Sequence, residues 1–140
     1  MNNFNVDIVT PSKNLNLENI TYLRCPGLDG AFGVLPNHQE GIFALGVGEL
    51  KVMKNGESDY FSVGGGFAEI ISNKIKLLVE SVESSSEIDS ERANNALARA
   101  TERKSKSKTN YDQSRINASL LRAMNRLKVS KRWRLLNKKK

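Results

Sequence analysis

The hydrophobic periodicity of this 140-residue chain changes at a short polar segment, Ser84-Ser85-Ser86. Before it, short stretches alternate apolar and polar residues, which is typical of half-buried strands. After it, apolar residues recur at helical spacing, and the sequence from Asp89 onward contains neither glycine nor proline. Since the two periods belong to different secondary structures, the sequence predicts two domains, residues 1–86 and 87–140.

The first part predicts short antiparallel strands. Asn55-Gly56 is a strong signal for a two-residue hairpin turn, because both positions tolerate positive φ. Ser72-Asn73-Lys74 predicts a second turn. The predicted strands cover residues 5–8, 50–53, 59–63, 67–71 and 75–82. Several short strands with regular turns and no intervening helix favour an antiparallel β-sandwich or barrel.

The second part predicts two helices joined by a polar connection over residues 104–110. Asp89 or Ser86 is the candidate N-cap of the first helix. The second helix is predicted from Tyr111 to Leu136. The apolar stripes are Ala93, Ala96, Leu97 and Ala100 on the first helix, and Ile116, Leu120, Ala123 and Leu127 on the second. The predicted fold class is α+β, with an N-terminal antiparallel β-sandwich followed by a C-terminal two-helix antiparallel hairpin.

Charge is distributed unevenly between the two parts. Residues 1–86 carry six Lys/Arg against ten Asp/Glu, and residues 87–140 carry sixteen against five. The net charges are therefore −4 and +11, which together give the +7 of the whole chain. The basic second part predicts an acidic partner.

Catalytic, metal-binding and membrane-spanning interpretations find little support. The lone cysteine, Cys25, cannot form an internal disulfide and is expected to be a small buried residue in a reducing, cytosolic setting. The lone histidine, His38, has no second histidine or nucleophile motif beside it, so packing at a subunit interface is favoured over general-base catalysis. Gly64-Gly65-Gly66 lacks the Lys-Ser/Thr of a phosphate-binding loop, and a bulge or a close approach of another subunit is favoured. The sequence also shows no secretory signal and no membrane span.

One segment, Arg24-Cys25-Pro26-Gly27-Leu28-Asp29-Gly30-Ala31-Phe32-Gly33-Val34-Leu35-Pro36-Asn37-His38, resembles a signature of the epsilon subunits of F-type ATP synthases. That signature reads Pro-Gly-x-Asp-Gly-x-x-Gly-[Val/Ile]-Leu-Pro-x-His. Further segments resemble the family in the same order: Val9-Thr10-Pro11, residues 45–50, Val63 to Glu69, and Ile88-Asp89-Ser90-Glu91-Arg92-Ala93. The chain departs from the family at Ala31, in the basic connection 104–108 and in the terminal lysines.

The resemblance implies a ten-stranded sandwich and a helix pair in a non-catalytic rotor subunit. This subunit couples c-ring rotation to ATP synthesis and inhibits ATP hydrolysis through its helices. The implied partners are the gamma subunit, the c-ring and the beta and alpha subunits of the catalytic head, and no cofactor is required. The implied location is the cytoplasmic face of a bacterial membrane, or the stromal face of a thylakoid in a plastid, with membrane association only through the complex. The implied rotor-interface residues are Pro26, Gly27, Asp29, Gly30, Gly33, Leu35, Pro36 and His38.

Arginines at helical spacing suggest a regulatory anion site on the hairpin. Arg92, Arg99 and Arg103 recur on the first helix, opposite much of its apolar stripe, and Arg115, Arg122 and Arg126 recur on the second. A solvated face explains such arginines equally simply, and it is the favoured interpretation for Arg103 and Arg115. Guanidinium groups nevertheless suit polyphosphate oxygens. The resemblance implies ATP as a possible regulatory ligand, with Ile88, Asp89, Arg92, Ala93, Arg99, Arg122 and Arg126 as the candidate residues.

The basic end of the second helix leaves an alternative function open. Lys128, Lys131, Arg132, Arg134 and the terminal lysines surround Val129, Trp133, Leu135 and Leu136. Such a tail suits a nucleic-acid-binding module or an anionic membrane surface. The strands offer no aromatic platform for stacking bases, which weighs against nucleic acid. The resemblance favours an acidic protein partner, the beta subunit, for this helix.

Overall fold

The structure, a computed structural model, describes residues 3–106 and 109–138. The chain divides into two compact units, Met1–Ser84 and Ser85–Lys140. The first unit is a β-sandwich and the second is a helical hairpin. These elements confirm the predicted fold class. The exact boundary after residue 86, and the independence of the two parts, stay predictions.

The sandwich contains two five-stranded sheets. The first sheet has the order β2-β1-β9-β8-β5 and the second has the order β10-β7-β6-β3-β4. One neighbouring pair, β1 and β9, is parallel, so the sandwich is not antiparallel throughout. The strands are β1 Phe4–Val9, β2 Asn14–Ile20, β3 Tyr22–Cys25, β4 Phe32–Val34, β5 Gly41–Leu45, β6 Gly48–Lys54, β7 Glu57–Val63, β8 Gly66–Ile71, β9 Lys74–Val79 and β10 Val82–Ser84.

The predicted hairpin at Asn55-Gly56 is confirmed. Asn55 has φ 53° and Gly56 has φ 77°, as a tight two-residue turn requires. Lys54 pairs with Glu57, so the loop contains only these two residues. The turn therefore fixes the register of β6 against β7.

The predicted strand over residues 75–82 is wrong in its length. β9 ends at Val79 and β10 begins at Val82 in the other sheet. The chain thus crosses between the sheets after β9, and it also crosses after β7, at Gly64-Gly65-Gly66. A hydrogen bond joins these two crossings, because the Gly64 amide donates to the Ser81 carbonyl at 2.9 Å. A Cβ on Gly66 would overlap the carbonyl oxygen of Leu78. The three glycines thus permit a close approach within the chain, which differs from the predicted bulge or approach of another subunit.

The core lies between the two sheets and is built from the inward-facing residue of each alternating pair. Val6, Ile8, Leu23, Leu50 and Leu77 are fully buried in it. Cys25 is also fully buried, and desolvation raises the pKa of its thiol to about 12. This burial confirms the expectation that Cys25 is a small core residue.

The second unit contains α1 Ser90–Lys106 and α2 Asn110–Lys138, which pack against each other. Asp89 caps α1, because its Oδ1 accepts a hydrogen bond from the Arg92 amide at 3.1 Å. The predicted connection 104–110 is too long at both ends, since α1 continues to Lys106 and α2 begins at Asn110. Ser107 and Lys108 of that connection, and the terminal Lys139 and Lys140, lie outside the described residues.

The predicted apolar stripes form the seam of the hairpin. Ala93 and Ala100 of α1 and Ile116 and Ala123 of α2 are buried, and the other stripe residues, Ala96, Leu97, Leu120 and Leu127, are half-buried. Small alanines on the seam allow the helices to approach closely. Neither described helix has an apolar stretch long enough to cross a membrane.

Candidate functional site

The segment Pro26–Leu28 at the start of the signature is hydrogen-bonded to the end of strand β5. The Leu28 amide donates to the Ala44 carbonyl at 3.0 Å, and the Gly46 amide donates to the Pro26 carbonyl at 2.9 Å. Gly27 forms an isolated bridge with Leu45. Since β3 belongs to the second sheet and β5 to the first, this segment ties the two sheets together at one end of the sandwich.

The signature glycines are required for two different reasons. Gly30 has φ 130°, a conformation that other residues rarely adopt, and its amide donates to the Gly27 carbonyl at 3.1 Å. Gly27 is required by space, because a Cβ there would overlap the Gly30 carbonyl and stand 2.9 Å from Phe32 Cδ1. The exposed side chain of Asp29 lies between them in the turn.

Positive φ does not explain the glycine at position 33. Gly33 is the middle residue of strand β4, paired with Arg24 of β3, and its φ lies outside the left-handed region. A Cβ on Gly33 would instead stand 2.8 Å from the Oη and Cε1 atoms of Tyr22. The ring of Tyr22 therefore explains why residue 33 is glycine. This is a tertiary contact that local sequence does not reveal.

The end of the signature is an exposed turn. Leu35 is 61% exposed, and the His38 amide donates to its carbonyl at 3.2 Å across Pro36 and Asn37. The His38 ring contacts Phe43 edge-on, with 5.9 Å between the ring centroids, and its Nδ1 lies 2.7 Å from the Gln39 carbonyl. These contacts fix the orientation of the ring, and they suit an interface position better than a catalytic one.

Exposed apolar residues lie on the outside of the first sheet beside the signature, next to a row of the charged residues Asp7, Lys76 and Glu69. Register places Val9, Leu78, Phe67 and Ala44 in one row across four strands. We call the exposed large residues of this surface the outer apolar face; they are Leu28, Ile42, Phe67, Ile71 and Leu78. A groove of about 720 Å³ runs between Leu28, Phe67, Leu78 and the Thr10-Pro11 turn. Exposed apolar residues in such a group mark an interaction surface.

Sequence reasoning predicted β8 and β9, which carry Phe67 and Leu78, but it predicted neither β5 nor the face itself. A signal was present in the sequence, because β8 and β9 carry large apolar residues on both faces of each strand. Ile70 and Leu77 point into the core, whereas Phe67 and Leu78 are exposed. A strand with one solvated face would show polar residues at the latter positions.

The arginines of the hairpin share one side of it. Each of five arginines directly precedes a residue of the apolar seam: Arg92, Arg99, Arg115, Arg122 and Arg126 precede Ala93, Ala100, Ile116, Ala123 and Leu127. A helix turns about 100° per residue, so these arginines flank the seam. The prediction that they lie opposite much of the apolar stripe is therefore wrong. In an antiparallel pair, the residue before each seam residue falls on the same broad side of both helices.

We call this side, together with Arg103 at the same spacing, the arginine face. Arg92, Arg99 and Arg122 are exposed and Arg126 is half-buried. An Nη2 of Arg122 donates to Ser119 Oγ at 3.2 Å. Among the described side chains of α1 and α2, the acidic residues are Glu91, Glu102 and Asp112, so cations dominate the hairpin surface.

The other candidate ATP-binding residues have structural roles in this fold. Asp89 is the N-cap of α1, Ile88 is buried, and Ala93 is fully buried at the seam. These roles account for the residue types without a ligand. Within residues 3–106 and 109–138, no three His, Cys, Asp or Glu side chains are grouped as a metal site would require.

Comparison with known families and proteins gives consistent matches along the chain. Residues 3–85 match the family described as ATP synthase, Delta/Epsilon chain, beta-sandwich domain, and residues 86–131 match ATP synthase, Delta/Epsilon chain, long alpha-helix domain. The ATP synthase epsilon chain of Nitratidesulfovibrio vulgaris strain DP4 is 41% identical over 124 residues, covering 89% of this chain and 92% of the relative. That of Desulforamulus reducens is 38% identical over 125 residues, covering 89% and 95%.

Two solved structures share the fold. A chain of the Euglena gracilis mitochondrial ATP synthase, in a structure of OSCP/F1/c-ring, superposes with a TM-score of 0.74 at 21% identity, covering 85% of this chain and 76% of that chain. A chain of the Tetrahymena thermophila mitochondrial ATP synthase central stalk/c-ring superposes with a TM-score of 0.67 at 13% identity, covering 91% and 96%. The comparisons give no support to the nucleic-acid-binding alternative.

Proposed function

The chain belongs to the delta/epsilon chain family of ATP synthases, and we propose that it is a non-catalytic rotor subunit of the central stalk. In this role it couples proton-driven rotation of the c-ring to ATP synthesis and restrains ATP hydrolysis through α1 and α2. The family membership supports the role, and the structure supplies surfaces that suit it.

The outer apolar face carries the proposal for the gamma subunit as partner. Phe67 is 55% exposed and Leu78 is 43% exposed, at neighbouring positions of β8 and β9. Burying such side chains against a partner is worth about 25 cal/mol per Å² of apolar surface. A rigid sheet presents them without the ordering cost that a loop would add. The face therefore suits a permanent docking surface.

A charge introduced into this face tests the proposal. We expect Phe67→Glu to prevent assembly with gamma, because docking would bury an unpaired carboxylate. Met53→Glu is the matched control, since Met53 is a half-exposed apolar residue on β6 of the second sheet. Co-purification with gamma measures assembly, and circular dichroism melting verifies the fold. Normal assembly of a folded Phe67→Glu chain contradicts the proposed docking surface.

The signature turn is the proposed contact with the c-ring and the neighbouring rotor surface. Leu35, Pro36 and His38 lie at one end of the sandwich and are held by the hydrogen bond from His38 to Leu35. The exposed side chain of Leu35 gives this turn an apolar tip. Association with the membrane, through the complex, is then peripheral. We propose the cytoplasmic face of a bacterial membrane, or the stromal face of a thylakoid in a plastid.

The basic helix α2 is the proposed contact with the beta and alpha subunits of the catalytic head. After Asp112 the sequence contains no acidic residue, whereas Arg122, Lys128 and Lys131 are exposed. An acidic surface of the head would attract this helix, and such a contact would stop rotation in the hydrolysis direction. The helix then has two competing positions, packed on α1 or engaged with the head.

ATP is the proposed regulatory ligand of the arginine face. The face is present only while α1 and α2 are packed, so a polyphosphate bound there stabilises the packed hairpin. We expect ATP to raise the melting temperature and to shift NMR signals of α1 and α2, and Arg92→Ala or Arg126→Ala to abolish both effects. Arg134→Ala, at an exposed position distant along α2, is the control. Absence of any effect at millimolar ATP assigns the arginines to solvated surface.

A further inference from the structure

Among the described residues, three asparagines adopt the left-handed backbone conformation. Their φ angles are 58° at Asn19, 67° at Asn37 and 53° at Asn55. The φ angle is therefore similar at all three, whereas the residue that follows differs. Ile20, His38 and Gly56 follow them in that order. This difference separates the three sites chemically.

The amide that follows Asn55 is the unhindered one of the three. Gly56 has no side chain, nothing stands within 4 Å of the place where a Cβ would be, and residues 54–57 are all exposed. By contrast, the His38 amide donates to the Leu35 carbonyl, and Ile20 is a buried, β-branched residue paired with Phe4 in the sheet. In the described part of the chain, no hydrogen bond engages the Gly56 amide, because the two-residue turn pairs Lys54 with Glu57 around it.

We propose that Asn55 is a site of spontaneous deamidation, at which the tip of the β6–β7 hairpin converts to aspartate and isoaspartate. Hydroxide removes the Gly56 amide proton, and the nitrogen attacks Cγ of Asn55. The bond from Cγ to the side-chain nitrogen breaks, and that nitrogen leaves as ammonia with a proton from water. Water then opens the five-membered imide at either carbonyl.

The modification acts on the turn that sets the strand register. Isoaspartate adds one carbon to the main chain of a loop in which two residues join Lys54 to Glu57. It also places a negative charge beside Glu57. We infer that the isoaspartyl form loosens the tip of β6 and β7, whereas the aspartyl form retains the turn, since aspartate also tolerates positive φ.

The test is incubation of the full folded chain at mildly alkaline pH, followed by peptide mapping of all three sites. We expect deamidation at Asn55 to exceed that at Asn37 and Asn19 by roughly tenfold or more, because glycine alone leaves its amide open to attack. Enzymatic methylation of isoaspartate, with a purified isoaspartyl methyltransferase as probe, should label the peptide that contains residue 55. Equal or slower conversion at Asn55 than at Asn37 overturns the proposal.

Gly56→Asn is the matched variant, because asparagine retains the preference for positive φ while adding a side chain beside the nucleophile. We expect it to slow conversion at Asn55 and to leave Asn37 and Asn19 unchanged. An unchanged rate at Asn55 in this variant also overturns the proposal. Asn55→Gln removes the five-membered ring closure, so its chain should give no isoaspartate at this position.

Discussion

The Tyr22 hydroxyl lies 2.8 Å from the position that a Cβ on Gly33 would occupy, although the two residues belong to neighbouring strands of the second sheet and are not directly paired. The ring of Tyr22 thus covers the backbone of β4 and leaves no space for a side chain at residue 33. The end of a side chain can move aside, whereas a strand backbone cannot. Replacing a glycine of the sandwich should therefore cost less stability where a side-chain end occupies the Cβ position than where backbone does.

We predict that Gly33→Ala destabilises the chain by about 1–2 kcal/mol, because the Tyr22 ring must move from its packed position. Gly66→Ala should cost more, since its Cβ would overlap the backbone carbonyl of Leu78. Chemical denaturation measures both. In a Tyr22→Ala background the penalty of Gly33→Ala should disappear. A penalty unchanged in that background would contradict the steric explanation.

A second prediction concerns the ion pair between Arg24 and Glu49. Their Nη2 and Oε1 atoms are 2.9 Å apart, and the Glu49 side chain is only 5% exposed. Arg24→Met should destabilise the sandwich by about 1–3 kcal/mol, because it leaves a largely buried carboxylate without this partner. The double variant Arg24→Met/Glu49→Met should recover part of the loss. Additive losses in the denaturation cycle would show that the pair is not coupled.

The elements that sequence predicted well are those fixed by neighbouring residues. The Asn55-Gly56 turn, the Asp89 cap and the helical stripes depend on interactions within about one turn of chain. The parallel pairing of β1 with β9 could not be predicted in this way, because it joins segments far apart in sequence. The same limit explains Gly33, whose requirement comes from Tyr22.

In the candidate site, too, local sequence patterns could be predicted and surfaces assembled by tertiary structure could not. The signature Pro26 to His38 and the arginine spacing are local patterns, and they were found. The outer apolar face was missed, because it is assembled from Leu28, Ile42, Phe67, Ile71 and Leu78 of four segments that only the sheet order brings together. Exposure of an apolar strand residue follows from which sheet covers it, and sequence alternation does not specify that.

A third prediction is that residues 1–86 fold without the helices. The described residues of the buried cluster between the sheets run from Phe4 to Val82, all within the first unit. A chain ending at Ser86 should therefore melt cooperatively and assemble with gamma, with the Phe67→Glu variant of the same fragment as the negative control. A fragment without a cooperative transition would contradict the predicted domain boundary.

A fourth prediction concerns pH and Cys25. Burial raises the pKa of this thiol from 9.0 to about 12, so the folded chain keeps it protonated while the unfolded chain ionises. Stability should therefore fall as pH rises from about 9 towards 12, since the unfolded state binds fewer protons in that window. Cys25→Ala should remove this contribution in pH-dependent denaturation. A thiol reagent that modifies the native chain as fast as the unfolded chain would contradict the burial.

The last prediction tests the hydrolysis switch through the hairpin seam. If the packed hairpin is the permissive state and the separated α2 restrains hydrolysis, then loosening the seam and deleting the helices must have opposite effects. Ala93 is fully buried on the seam, so Ala93→Leu should overpack it by about 1–3 kcal/mol and shift the equilibrium towards the separated form. The assembled enzyme should then hydrolyse ATP more slowly. Deletion of residues 87–140 should make hydrolysis faster than in the wild-type enzyme.

Ala98→Leu is the control, because Ala98 is exposed on the same helix and accepts a larger side chain without touching the seam. ATPase assays of the three reconstituted enzymes measure the result. Equal hydrolysis by the deletion and wild-type enzymes would remove the restraining role, whereas faster hydrolysis by Ala93→Leu would show that the packed hairpin is itself the restraining state.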